Sequence, residues 1–260
     1  MLKYIQAEFI KLRYQPILWL IGATVVSITL LIYFAHYNDV ESISQIGKDP
    51  WIKIWDGAIG IFSVFMMVPF LVLLMSATIY IEHQNNTWKY QYSAPVSRIK
   101  VLMIKLASFL MLIIIAFSLL ALGIFCVAQL LNFIFPEMEF SYYSFHFSNY
   151  PNMAFFTLIN SLGIIGIQFF LSIRFKGFLV PAAIGIVAFI IALIVGVTNT
   201  PASHYFPYSY TLIGQDFNMF TIDKVGVVDL GWINSVQLCS IIIFMIFTSI
   251  AIFLEHKRSV

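Results

Sequence analysis

The chain has 260 residues, of which 61% are apolar, 17% aromatic and only 10% charged, against about a quarter charged in ordinary soluble domains. A water-soluble globule is excluded, because a chain with 26 Phe could not cover its surface with polar groups; most of it must face lipid or other helices. The formal charge of +2 is too small to signal a nucleic-acid partner, so the placement of the charges along the chain matters more than their sum.

At the start, Leu2, Ile5, Phe9 and Leu12 recur at helical spacing, while Lys3, Gln6, Lys11 and Arg13 take the other faces. This predicts an interfacial helix over residues 1–15, its apolar side at the acyl boundary and its basic side among headgroups, with Pro16 marking the turn into the membrane. An ordinary charged flank that sets topology accounts for the same residues. Crossing about 30 Å of hydrocarbon takes about 20 helical residues. Six windows of that kind follow, at approximately 16–37, 57–81, 106–135, 153–173, 178–197 and 233–254, each without Lys, Arg, Asp or Glu. They do not alternate as barrel strands would, so the expected fold is an all-α membrane protein: one transmembrane domain over residues 1–260 with six spans. The first window is too long for a signal peptide and lacks a small-x-small cleavage site. Cys126 and Cys239 fall in separate windows, where a disulfide has no obvious role.

The connection from Glu82 to Lys105 is the most informative stretch. Asn86 and Thr87 can start a short helix and Pro95 should end it. Trp88, Tyr90 and Tyr92 there fit a docking surface, which needs rigid rings with polar tips, and fit equally an aromatic belt at the membrane interface. Glu82 stands where an apolar window ends, so it needs water or a basic partner, with Arg98 or Lys105 nearest in sequence. The loops at 38–56 and 136–152 carry Trp51, Trp55, Tyr142, Tyr143 and Phe145, which form an aromatic rim or an interface belt. The longest loop, 198–232, is rich in rings and poor in charge, and reads as one or two short re-entrant or interfacial helices. Inside the windows, Gln129, Asn160, Gln168 and Gln237 call for interhelical hydrogen bonds. Pro69 and Pro181 are expected to kink their helices, and Gly163 and Gly166 to permit close helix approach near a subunit seam.

With consecutive loops assigned to alternate sides, one face holds eleven basic and three acidic residues, a net +8, and the other three basic and nine acidic, a net −6. That asymmetry puts both termini in the cytoplasm and favours anionic lipids on that side. No G-x-x-x-x-G-K-S/T nucleotide loop, no H-E-x-x-H and no G-x-S-x-G occurs, so no cofactor is expected in this chain and any energy source is another polypeptide. The windows hold no carboxylate of the kind an ion pump requires, which favours an amphipathic or lipid-like cargo over an inorganic ion.

The run Ala7-Glu8-Phe9-Ile10-Lys11-Leu12-Arg13, then Glu82, Asn86-Thr87-Trp88-Lys89 and Ala94-Pro95-Val96-Ser97-Arg98, resembles permease subunits of the ABC-2 class of ABC transporters, in particular those of lantibiotic immunity and bacitracin-type resistance. The matching motifs cover the first fifteen residues and 82–105; the topology covers the whole chain. Many such permeases have Gly where Asn86 stands, and Asn also visits a left-handed turn readily. The resemblance implies that the N-terminal helix, with Glu8, Lys11 and Arg13, lies along the membrane as a connecting helix. It implies also that the loop at 82–98 supplies a coupling helix that docks into a separate ATPase. Thr87, Trp88, Lys89, Tyr90, Tyr92 and Arg98 then form the docking surface, and Glu82 the gating or coupling carboxylate. Two ATPase copies, binding ATP and Mg, would work with a second permease copy or a sister permease in a bacterial cytoplasmic membrane. They would export an amphipathic cargo such as an antimicrobial peptide. A non-transporting part of a sensing or assembly complex is the alternative. A lipid-modifying membrane enzyme lacks an interfacial nucleophile, acid or metal cluster in this sequence.

Overall fold

Backbone N–H and C=O groups cannot go unpaired in hydrocarbon, and apolar runs of this length satisfy them internally as helix. The computed structural model describes residues 10, 17–37, 49–84, 97–138, 140, 143, 149–197, 201–213 and 234–257. Among these there is no strand, and six helices are long and apolar enough to cross a membrane. The chain is an all-α multi-pass membrane protein. In order, the elements are α1 (Ile17–Tyr37), α2 (Pro50–Ile61), a π-helical turn (Phe62–Met66), α3 (Met67–Gln84), α4 (Arg98–Ile134), α5 (Asn149–Arg174), α6 (Leu179–Val197), α7 (Tyr210–Ile213) and α8 (Ser235–Lys257). The α2, π and α3 segments run on as one span, Pro50–Gln84.

Two helices outrun their apolar windows. The second begins at Pro50, so Trp51, Lys53, Trp55 and Asp56 lie in helix and not in a loop. Asp49 caps it, its carboxylate accepting from the Trp51 N–H at 2.9 Å, and Pro50 takes the first helical position, where its missing N–H costs nothing. Trp51 and Trp55 are buried, which corrects the aromatic-rim reading for both. The Trp51 indole donates to the Phe140 carbonyl at 3.2 Å and stacks on the Phe125 ring at 5.7 Å. The fourth helix begins at Arg98, so Arg98, Lys100 and Lys105 belong to its first two turns and not to the preceding connection. Charge ended the hydropathy windows, yet hydrogen-bonded helix continues through Val101, Leu102 and Ile104, all buried. At 35 and 37 residues, these two helices reach about 50–55 Å, beyond the hydrocarbon thickness.

Pro69 does not simply kink its span. Its ring would meet the carbonyl four residues back, at Phe65, and the preceding turn widens into the π segment at 62–66, which makes room for that clash. Pro181 stands third in α6, within the first turn, where proline is tolerated.

The spans pack around two buried apolar clusters. The larger joins α1, the second span and α4, with Ile165, Phe169 and Ile173 of α5. The smaller joins the second span, α5 and α6 to Tyr208, Tyr210, Leu212 and Ile213. The tightest helix pair is α5 with α8. A Cβ at Gly166 would stand 2.8 Å from the Phe244 Cα, so the two backbones nearly touch. One turn away, the Ser240 hydroxyl accepts from the Gly163 N–H at 2.8 Å and donates to the Ile159 carbonyl at 2.7 Å, the two groups a helical ladder pairs. These glycines therefore permit the close helix approach expected of them, and the helix they seat belongs to the same chain.

Candidate coupling site

Consecutive spans run antiparallel, so the end of α3, the start of α4, the end of α5 and the end of α8 share one end of the bundle. Two oppositely charged side chains meet there. Lys105 Nζ lies 2.9 Å from Glu82 Oε1, with only 3% and 7% of the respective side chains exposed. Of the two partners the sequence offered Glu82, Lys105 is in contact with it, and the Arg98 side chain lies outside the described residues. Burial also replaces the picture of a solvated terminus. A carboxylate and an ammonium taken out of water together offset much of each other's desolvation cost, whereas either one alone is strongly unfavourable.

Next to Glu82, the His83 Nε2 donates to the Ser172 carbonyl at 3.3 Å, linking α3 to α5. Glu255 of α8, Lys176 beyond α5 and Glu82 are charged neighbours of this imidazole. Four helices thus share a polar junction at the root of the connection between α3 and α4. Nothing in the local sequence announces His83 or Ser172 as its members, because their partners lie 89 positions apart.

A second junction lies deeper. Gln168 of α5 is fully buried; its Nε2 donates to Ser76 Oγ at 3.0 Å and to the Pro181 carbonyl at 2.8 Å, and its Oε1 accepts from the Tyr208 hydroxyl at 3.4 Å. It therefore ties α3, α5 and α6 to the segment 201–213, which folds as two 3₁₀ turns, Pro201–Tyr205 and Pro207–Ser209, followed by α7. This segment is packed between spans. Leu212 abuts Gly196 near one end of α6, while Tyr208 reaches Gln168 beside Pro181 near the other. Gln168→Leu is expected to lower stability by about 1–2 kcal/mol, since it strips partners from three buried groups. Thermal unfolding of the purified chain checks this, and an unchanged midpoint would remove Gln168 as a tie.

The other expected interhelical groups behave differently. Gln237 and Asn234 exchange two local hydrogen bonds, each 2.9 Å, at the start of α8. Gln129 is exposed, and Asn160 is buried with neither side-chain atom bonded among the described residues.

Of the residues assigned by sequence to docking, Thr87, Trp88, Lys89, Tyr90 and Tyr92 lie outside the described residues, as do Glu8, Lys11 and Arg13 of the N-terminal helix. Arg98 is the first residue of α4, and its side chain is also outside the description. Among the described residues no group of three His, Cys, Asp or Glu side chains is placed to hold a metal ion.

Six lipid-length helices tied by buried polar junctions, with a paired carboxylate at the root of one connection, define a membrane-embedded helical bundle rather than a soluble catalyst. The family described as ABC-2 family transporter protein matches residues 4–192, most of the chain, and the chain belongs to it: this is a transporter permease. Such permeases have no nucleotide-binding domain of their own and work with an ABC ATPase partner. No curated protein and no solved structure matches the chain.

Proposed function

We propose that this permease is the membrane half of an ATP-driven exporter whose separate ATPase, present in two copies, docks on the loop at residues 82–98. The observation that carries this reading is the buried Glu82–Lys105 pair. Glu82 stands on the helix that leads into the loop and Lys105 on the helix that leaves it, so their pairing clamps both roots together. A push on a loop rooted in that way is passed to α3 and α4 instead of being absorbed at flexible joints, which domain closure by an ATPase requires. Trp88, Tyr90 and Tyr92 are the docking anchors, with Thr87, Lys89 and Arg98 completing the surface and Glu82 acting as the coupling carboxylate. Two permeases, identical or sister chains, assemble with the two ATPases, which bind ATP and Mg. The basic face, with both termini, lies in the cytoplasm of a bacterial cell, and the N-terminal helix at 1–15 rests on the inner leaflet. The cargo is amphipathic or lipid-like, with an antimicrobial peptide as its first candidate.

Trp88→Asp tests the docking assignment. The variant should still reach the membrane but lose co-purification of the ATPase by at least about tenfold, the effect of removing one aromatic hot spot worth 2 kcal/mol or more. Undiminished ATPase recovery together with undiminished transport removes docking from this loop. Retained ATPase recovery without transport favours a sensing or assembly complex.

A further inference from the structure

Among the buried hydrogen-bonding atoms with no partner among the described residues are Asn160 Nδ2 and Oδ1 on α5, Thr211 Oγ1 on α7 and Ser63 Oγ on the π segment. None is more than 1% exposed. They come from three distant stretches, yet α7 packs against both α5 and the π segment. Ile164, one turn beyond Asn160 on the same face, shares an apolar cluster with Val64, the neighbour of Ser63, and with Tyr210 and Leu212, which flank Thr211. The three groups therefore sit on elements that α7 packs together inside an otherwise apolar bundle.

Orphaned polar groups of this kind are rare in folded proteins, and a buried amide with both ends unbonded is rarer still. All the groups here are neutral, and together they offer both donors and acceptors: the Asn160 amide has both, and each hydroxyl has one proton and free lone pairs. That chemistry suits a small neutral guest that both gives and takes hydrogen bonds. Near-zero exposure closes these groups off from bulk solvent, and water is the smallest neutral guest with that chemistry. A π turn adds room, since its wider ring displaces backbone carbonyls from their regular partners, and such turns recur where a helix meets a ligand.

We propose that Asn160, Thr211 and Ser63 form a binding site for ordered water at the place where the segment 201–213 meets α5 and the π segment. Contacts through water exchange more easily than direct packing. At this seam the segment is bridged by replaceable hydrogen bonds, whereas its Tyr208 meets α5 through a direct bond to Gln168.

The test is a double-mutant cycle on the full chain purified in lipid nanodiscs. Asn160→Leu and Thr211→Val each replace a polar group by an apolar one of similar shape. If bound water satisfies those groups, each substitution lowers the unfolding midpoint by about 2–4 °C. The double variant then falls by less than the sum, because both changes remove the same bridge. If the groups are truly orphaned, the midpoint rises, and the proposal is overturned; strictly additive losses overturn it as well. Should Asn160→Leu fail to fold, Thr211→Val with Ser63→Ala, which delete only a hydroxyl each, completes the same cycle with the same opposed outcomes.

Discussion

Lys105→Met is expected to cost about 3–5 kcal/mol of stability, because it removes the ammonium that lies 2.9 Å from the buried Glu82 carboxylate. The size follows from the burial, since an exposed pair at the same 2.9 Å would contribute under about 1 kcal/mol. Replacing both residues, as in Glu82→Leu with Lys105→Met, should restore most of the loss, for an apolar pair of similar volume needs no compensation. The two variants therefore separate stability from coupling. On the proposed reading the double variant folds, binds the ATPase and transports poorly. Thermal unfolding of both variants, alongside ATPase-dependent transport, provides the comparison. A double variant that transports at the parental rate would strip Glu82 and Lys105 of any coupling role and leave them a folding element.

The second large effect concerns the α5–α8 seam. A side chain at Gly166 meets backbone, with the Phe244 Cα at 2.8 Å and its carbonyl oxygen at 3.1 Å, so no rotamer change can relieve it. Gly166→Val should cost about 3 kcal/mol or more by forcing the helices apart and pulling Ser240 away from Gly163 and Ile159. Gly22 on α1 is the control, because nothing lies within 4 Å of its added Cβ. Gly22→Val should stay within about 0.5 kcal/mol of the parent. Unfolding midpoints of the two variants decide the matter; equal losses would mean that helix propensity, not close approach, governs both sites.

Much of the fold was legible before any coordinates. All six windows correspond to spans, and the discrepancies lie at their ends. Lys53 and Asp56 closed the second window early, although Asp49-Pro50 carries a complete cap signature that the hydropathy criterion ignores. Arg98, Lys100 and Lys105 closed the third in the same way. The candidate site was legible in part: Glu82 stood out as a carboxylate at a membrane boundary, and Lys105 was one of two possible partners. His83, Ser172 and Ser240 were not, since an ordinary histidine or serine in an apolar run has no feature that separates it from its neighbours.

The four span amides show where the boundary falls. Gln168, Asn160, Gln237 and Gln129 look alike in sequence, yet one ties together four stretches of chain, one has no side-chain partner among the described residues, one caps its own helix and one is exposed. Whether a segment crosses a bilayer is settled residue by residue, because hydrocarbon taxes every exposed polar group where it stands; composition therefore suffices for the number of spans, their order and their helical state. Which polar group finds a partner depends on what another helix presents at the same depth, and Gln168 meets Ser76 across 92 positions while Gly163 meets Ser240 across 77. Only the packing of the spans brings such groups within the 3 Å or so over which a hydrogen bond acts.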